Sequence, residues 1–412
     1  APPEMRLKKA KLKDLIEITR GTTLAGEYYS TEGDLVRLTL GNFDYNNGGF
    51  KPNTSKDNIF FTGKVKEQFI MDEGDIITPL TEQTPGLLGT TARIPKSGKY
   101  IQSQDVALVR CKDGKLSDEF CYYLLPSAIV KKQLAAGAQQ TKIRHTSPDK
   151  IKDCVVYIPE ELDEQEAIGT LLATIDKKIS LNRQINHNLE AMAKQLYDYW
   201  FVQFDFPNAD GKPYKSSGGK MVWNERLKRE IPMDWSVVNV DEYLSATSER
   251  INLNIVGDMK YTPIEVLPRK QMSFSECAPI DKATSGLCKY NKQDILLSNR
   301  RVYFHKVCIA PFDGITRDTV IILRPYNPKL LGYSYQLVNA NHFIDYATLH
   351  SYGSEQPVLS WSAVQTYKVL KPSDKLDFRF SDTMKPIIES VIENNNAISS
   401  LTKLRDELLP LL

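Results

Sequence analysis

Carboxylates, histidines and cysteines carry most side-chain chemistry, and this chain sets none of them in a catalytic or metal-binding pattern. Asp149, after Pro148, with Asp176-Lys177-Lys178 superficially fits the carboxylate–lysine pattern of a nuclease. The second part of that pattern falls on a long amphipathic helix, where alternating charge is ordinarily solvated. His145, His187, His305, His342 and His350 have no metal-ligand spacing. Cys111, Cys121, Cys154, Cys277, Cys288 and Cys308 form no Cys-x-x-Cys pair, which leaves a zinc site without support and suits a reducing cytoplasm. There is no Gly-x-Ser-x-Gly, no phosphate-binding Gly-x-x-x-x-Gly-Lys-Ser/Thr and no Gly-x-Gly-x-x-Gly opening a helix. The Asn/Asp-Pro-Pro-Tyr/Phe segment that holds a flipped base in amino-methyltransferases is absent too. The expectation is a chain that catalyses nothing.

A second chemistry, recognition of nucleic acid, has better support. Arginine and lysine match phosphates and guanine edges, and asparagine and glutamine match adenine edges. Such residues gather in turn-rich segments of both halves. In the first half they are Asn46, Asn47, Arg93, Gln139, Gln140, Lys142 and Arg144; in the second, Arg269, Lys270, Lys292, Arg300, Arg301, Arg317 and Trp361. The net charge of +2 does not by itself announce a nucleic-acid binder, but a near-neutral total can hide basic patches on one face.

The elements that must position these residues occur twice. Asp75-Ile76-Ile77-Thr78 is mirrored by Asp294-Ile295-Leu296-Leu297, and Val106 to Arg110 by Val320 to Arg324. Gly137-Ala138-Gln139-Gln140 corresponds to Gly353-Ser354-Glu355-Gln356. Each copy closes on a short apolar strand ending in proline, Cys154 to Pro159 and Tyr367 to Pro372, followed by a long helix. Val156, Ile175, Ile179, Asn182 and Ile185 match Val369, Ile388, Ile392, Asn395 and Ile398 at one offset of 213 residues. The helices are expected from Glu164 to Phe201 and from Asp382 to Leu411. Their apolar residues recur at three and four, with asparagine interrupting each stripe: Asn182 and Asn186 in the first, Asn395 in the second. Neither stripe is stable exposed to water, so the helices are expected to pack on each other as a strut. Between the copies, Asp210-Gly211-Lys212-Pro213 and Ser216-Ser217-Gly218-Gly219 have the composition of a flexible linker. No apolar run reaches membrane-spanning length, so no membrane is expected.

Ile158-Pro159, Glu164-Gln165-Glu166-Ala167-Ile168 and Leu171 to Trp200 resemble the junction between recognition domain and spacer in the specificity subunits of type I restriction–modification systems. Leu404 to Pro410 resembles the family's distal spacer, and Tyr197 to Phe201 with Trp223 to Trp235 resembles its passage into a second recognition domain. The second copy departs from the pattern, with Phe378-Arg379-Phe380 where Glu-Gln-x-x-Ile would stand. The resemblance implies an α+β chain of two repeated, β-rich mixed α/β target recognition domains, each followed by a long helix, the helices packing as an antiparallel coiled coil. The implied division is recognition domain 1 over 1–158, spacer helix 1 over 159–206, linker over 207–234, recognition domain 2 over 235–373 and spacer helix 2 over 374–412. Each domain would read one half of a bipartite, asymmetric site in double-stranded DNA. Two modification (methyltransferase) subunits would dock on the chain and carry S-adenosylmethionine; restriction subunits would bring ATP and Mg. This chain itself would hold no cofactor and no metal, and would work in the cytoplasm. Tyr197, Tyr199, Trp200 and Phe201 would either anchor partner helices or pack against the second domain. Two other readings stay open: a specificity subunit of another multi-subunit DNA modification system, and a coiled-coil adaptor that does not bind DNA.

Overall fold

The structure, a computed structural model, describes residues 5–45, 48–82, 86–137, 144–284, 286–373 and 375–409, with the backbone alone at Gly137, Arg144 and Leu253. It divides into two compact units, residues 1–177 with 401–412 and residues 178–400. Both long helices cross that division, and each portion is described with its own unit.

In the first unit, strand Leu7–Lys11 pairs antiparallel with Val155–Pro159, Ala10 opposite Val156. A four-stranded antiparallel sheet follows, in the order Ile16–Arg20, Val106–Cys111, Ile76–Pro79, Ala92–Arg93. Its two central strands, Val106–Cys111 and Ile76–Pro79, are buried on both faces along their apolar runs, whereas the edge strand Ile16–Arg20 buries only Ile16 and Ile18. The side chains alternate. Ile76, Ala107 and Val109 face helices Asp118–Leu124 and Ala128–Gly137, in a core with Phe120, Leu124 and Val130. Ile77, Val106 and Leu108 face the other way, toward Val36, Phe43, Met71 and Tyr100.

The second unit repeats this frame. Ser236–Asn239 pairs with Lys368–Lys371, Val238 opposite Val369. The sheet order is Leu244–Thr247, Val320–Pro325, Ile295–Ser298, Val307–Ile309, again antiparallel throughout. Ile295, Leu297 and Leu323 face helices Leu331–Asn339 and Asn341–Leu349, while Leu296, Val320 and Ile322 face Phe274 and Tyr290. Val156 and Val369, matched in the sequence, occupy the same place in the same closing pair of strands.

The first long helix is α-helical over Leu162–Tyr197 and ends in a π-helical turn, Asp198–Val202. Gln165, fully buried, locks its start: the amide accepts from Ser117 N–H at 3.1 Å and donates to Pro159 O at 2.9 Å. Gly169 is required where this helix crosses Asp118–Leu124, because a Cβ there would lie 2.6 Å from the backbone of Glu119 and Phe120. The second long helix runs Leu376–Leu408 and so begins six residues before the expected Asp382. Asp377, Phe380 and Ser381 are buried in the second unit, and packing recruits them into the helix although Pro386 stands inside it. Asp377 does here what Gln165 does in the first unit, accepting from Tyr243 Oη at 3.1 Å. At this crossing the glycine is on the other partner: a Cβ on Gly332 would lie 2.5 Å from Met384 Cβ.

Within the second unit the two long helices run antiparallel. Asn186 meets Asn394 and Asn395, while Tyr197 and Trp200, further along, meet Phe380, which comes earlier in its own helix. Asn186 is buried in the seam; its Nδ2 donates to Asn395 Oδ1 at 2.9 Å and its Oδ1 accepts from Asn394 at 2.8 Å. In the first unit Arg405 pairs with Asp176 at 3.0 Å, and Tyr123 Oη donates to the same carboxylate at 2.8 Å. Asp176, half of the nuclease-like pattern, is thus engaged structurally.

Residues 207–234 are not the flexible linker their composition suggests. Met221–Asn224 and Arg229–Pro232 form an antiparallel hairpin, Phe206 stacks on Tyr214 and Trp235, and Asp205 accepts from Ser216 N–H and Oγ. Aromatic stacking holds the segment where glycine and serine content alone suggests freedom. Among the described residues no helix is long and apolar enough to cross a membrane, and no three His, Cys, Asp or Glu side chains are grouped to hold a metal.

Candidate nucleic-acid interface

The basic residues of the second unit converge at one end of its sheet. Strand Ile295–Ser298 leads into Asn299-Arg300-Arg301, and Arg317-Asp318-Thr319 leads into Val320–Pro325; Ser298 lies opposite Val320, so both segments emerge at the same edge. Backbone bonds tie them: Asn299 N–H to Thr319 O at 3.0 Å and Leu359 N–H to Asn299 O at 2.8 Å. Asn299 Nδ2 adds a bond to Asp318 O at 2.8 Å, and Arg300 bridges Val358. Arg300 and Arg317 are half-buried, and their guanidinium groups have no hydrogen bond or ion pair among the described residues. Buried Arg317 Nε, Asn299 Oδ1 and Thr319 Oγ1 all lack a partner among the described residues. Buried polar groups are ordinarily satisfied, so this cluster is an unmet demand for hydrogen bonds. Arg301 stands in the left-handed region at φ 47° and reaches Glu355 O at 3.5 Å. Exposed Tyr352 borders the corner, while Asp318 and Glu355 place acids on its rim. Asn299 is legible in the sequence as an amide beside Arg300 and Arg301, but nothing in residue type singled out Tyr352 or Thr319; only the fold brings them to the arginines.

The first unit builds the same corner from other side chains. Leu80 N–H bonds to Asp105 O at 2.9 Å and Thr146 N–H to Leu80 O at 2.9 Å, the counterparts of the two bonds at Asn299. Arg144–His145 pairs with Thr81–Glu82 as Val358 bridges Arg300. Here the corner carries Thr81, Asp105 and a buried Glu82, whose carboxylate accepts from Leu87 and Leu88 N–H at 2.9 and 3.1 Å. Asn46, Asn47, Gln139, Gln140 and Lys142, and the Arg144 side chain, lie outside the described residues.

The remaining expected residues fall elsewhere. Arg93 is neutralised by Glu119 at 3.0 Å and lies over the Tyr122 ring, so it braces the first unit and is not a free cation. Lys292 precedes strand Ile295–Ser298 and so lies at the opposite end from Arg300; its ammonium is unpaired among the described residues. Arg269 packs over Phe304 at 3.7 Å, and exposed Lys270 is held by its N–H bond to His305 O at 2.8 Å. Trp361, half-buried, packs against the core at the start of a short helix. Tyr197, Trp200 and Phe201 are buried among Tyr333, Phe380 and Trp235 and offer no anchor to a partner. Tyr199 alone of the four is exposed. It ends a stripe, Ile185, Met192 and Tyr199 at intervals of seven with Leu181 and Val202 beside them, all at least 38% exposed and turned away from the Asn186 seam.

A family model described as Type I restriction modification DNA specificity domain matches residues 6–191. The MjaIX type I specificity subunit of Methanocaldococcus jannaschii is 24% identical over 427 residues, covering 97% of this chain and 91% of that protein. The chain is thus similar to type I specificity subunits along nearly its whole length. The EcoDI specificity subunit of Escherichia coli is 23% identical and covers 71% of this chain and 69% of its own length. The crystal structure of a type I S subunit from M. genitalium superposes with a TM-score of 0.61 at 14% identity, over 99% of this chain and 96% of that one, a likeness of fold. Beside that similarity, two copies of one corner with different described side chains are a concrete place to look for sequence readout.

Proposed function

We propose that each unit of this specificity subunit reads one half of a bipartite, asymmetric DNA site, with the corner at Asn299 and its counterpart at Leu80 as the reading edges. The observation that carries this is the repeat of the two backbone bonds beside described side chains of different charge. One frame then presents two chemistries, which is what an asymmetric site asks for. Unpaired Arg300 and Arg317 suit guanine edges and phosphates. The coiled coil sets the gap between the halves, and the stripe from Leu181 to Val202, Tyr199 included, is the surface on which a modification subunit docks. Two such subunits bind and carry S-adenosylmethionine; restriction subunits add ATP and Mg. The chain itself catalyses nothing, holds no cofactor and works in the cytoplasm.

The test is methylation mapping. The chain is expressed with and without its neighbouring methyltransferase in a host lacking such marks, and the genome is sequenced for N6-methyladenine. A two-part motif with a fixed gap, present only when both chains are present, is the expected result. No new mark despite a stable complex would overturn the reading.

A further inference from the structure

The second unit contains a cleft of about 620 Å³ between the first long helix, the loop at Lys270 and the start of helix Asn341–Leu349. Three features of it are unsatisfied. Ala340, at the N-cap, has no side-chain oxygen; Phe343 and Ile344 N–H turn back to Ala340 O, and the N–H groups of Asn341 and His342 have no partner among the described residues. A helix start of this kind carries partial positive charge. Gln336 lines the same cleft, is only 2% exposed, and its amide bonds to nothing among the described residues. Lys270, held in the left-handed region at φ 53°, has an ammonium at the rim with no partner among the described residues.

The acids of the cleft are already engaged. Glu190 accepts from Met272 N–H at 2.7 Å, and Asp198 takes Lys194 at 2.5 Å. His305 Nε2 is occupied by Asn339 at 2.9 Å. What remains is a surplus of donors around a partly apolar wall that includes Met272 and Tyr335.

We propose that this cleft binds a phosphate group, with Asn341 and His342 N–H, Lys270 and the Gln336 amide as its donors. Backbone N–H at a helix start, a nearby cation and an orphan amide are the elements of a phosphate site. The cleft volume leaves room for an organic body beside the phosphate. The source is then either the free ion or a mononucleotide whose ring lies on the apolar wall.

The five histidines report on this directly. His187, His305 and His342 line the cleft, whereas His145 and His350 lie outside it. In ¹H–¹³C imidazole spectra of the full chain, titration with inorganic phosphate is expected to shift the first three saturably at millimolar concentration and to leave the other two in place. Adenosine monophosphate saturating at much lower concentration identifies a nucleotide site; equal concentrations identify a site for the ion. Lys270→Asn, which keeps a residue tolerant of left-handed φ, and Gln336→Leu are each expected to weaken binding about tenfold. Unmoved His145 and His350 signals show that these variants fold. No saturable shift with either probe, or unchanged binding in both variants, overturns the proposal.

Discussion

Among the described side chains, the corner at Asn299 presents three arginines, two of them without a partner, whereas the corner at Leu80 presents Asp105 and a buried Glu82 that accepts from two backbone N–H groups. Their backbones make the same two bonds. The difference extends below the surface. Each sheet carries one carboxylate–arginine pair at matching positions. In the second unit Arg324 holds the buried Asp294 through two bonds of 2.7 Å, and Asp294 in turn lifts the Arg324 pKa. In the first, Arg110 is 65% exposed and 3.8 Å from Asp75. The two units share a frame and differ both in the described side chains they display and in how firmly they are braced.

Breaking the brace gives the largest contrast. Asp294→Ala leaves Arg324 and Asn291 N–H without their acceptor and is expected to cost about 3 kcal/mol, discounted for the exposed side of Arg324. Asp75→Ala should cost less than about 1 kcal/mol. Urea unfolding, with hydrogen exchange to localise the loss, distinguishes the two; equal costs would mean that the units are braced alike.

Next come the helix crossings. Gly169→Ala and Gly332→Ala place a Cβ against atoms that must shift, and each is expected to cost about 2 kcal/mol in its own unit. A neutral Gly332→Ala would show that Met384 yields where the Glu119 backbone cannot. In the seam, Asn186→Leu alone orphans the amides of Asn394 and Asn395 and should lose about 1 kcal/mol. Replacing all three with leucine should raise the melting temperature above that of the parent chain while loosening register.

The smallest effect concerns the two latches. Gln165 is neutral, but Asp377 is a carboxyl whose pKa burial pushes up. The folded chain therefore holds this proton after the unfolded chain has released it. The stability it contributes is present at pH below the unfolded carboxylate range and is lost as pH rises through the folded pKa. Asp377→Asn should remove that slope, a change of less than about 1 kcal/mol read from melting curves between acid and neutral pH; an unchanged slope would place the charge elsewhere.

Much of this frame is legible in the residues. The matched prolines, the paired apolar strands and the asparagines in the helical stripes report the repeat, because strand alternation and helical spacing are local. What stayed hidden depends on partners far along the chain. Arg93 reads as a free cation until the fold brings Glu119 to it. Tyr197, Trp200 and Phe201 form an aromatic run that looks the same whether a partner or the second unit covers it, and Tyr333 and Phe380 decide the matter. The helix start at Leu376 was obscured where Phe378-Arg379-Phe380 replaces the Glu-Gln-x-x-Ile pattern, and the hairpin at Met221 by the glycines before it. The corner itself needs three segments, from Asn299, Arg317 and Val358, that no spacing rule connects.

The most direct test of one unit reading one half-site is to replace both unpaired arginines, Arg300→Ala with Arg317→Ala, and to map N6-methyladenine in the presence of the methyltransferase partner. The account predicts that bases in one half of the motif become degenerate while the other half and the gap are unchanged. Degeneracy in both halves, or an unaltered motif at full occupancy, would contradict it.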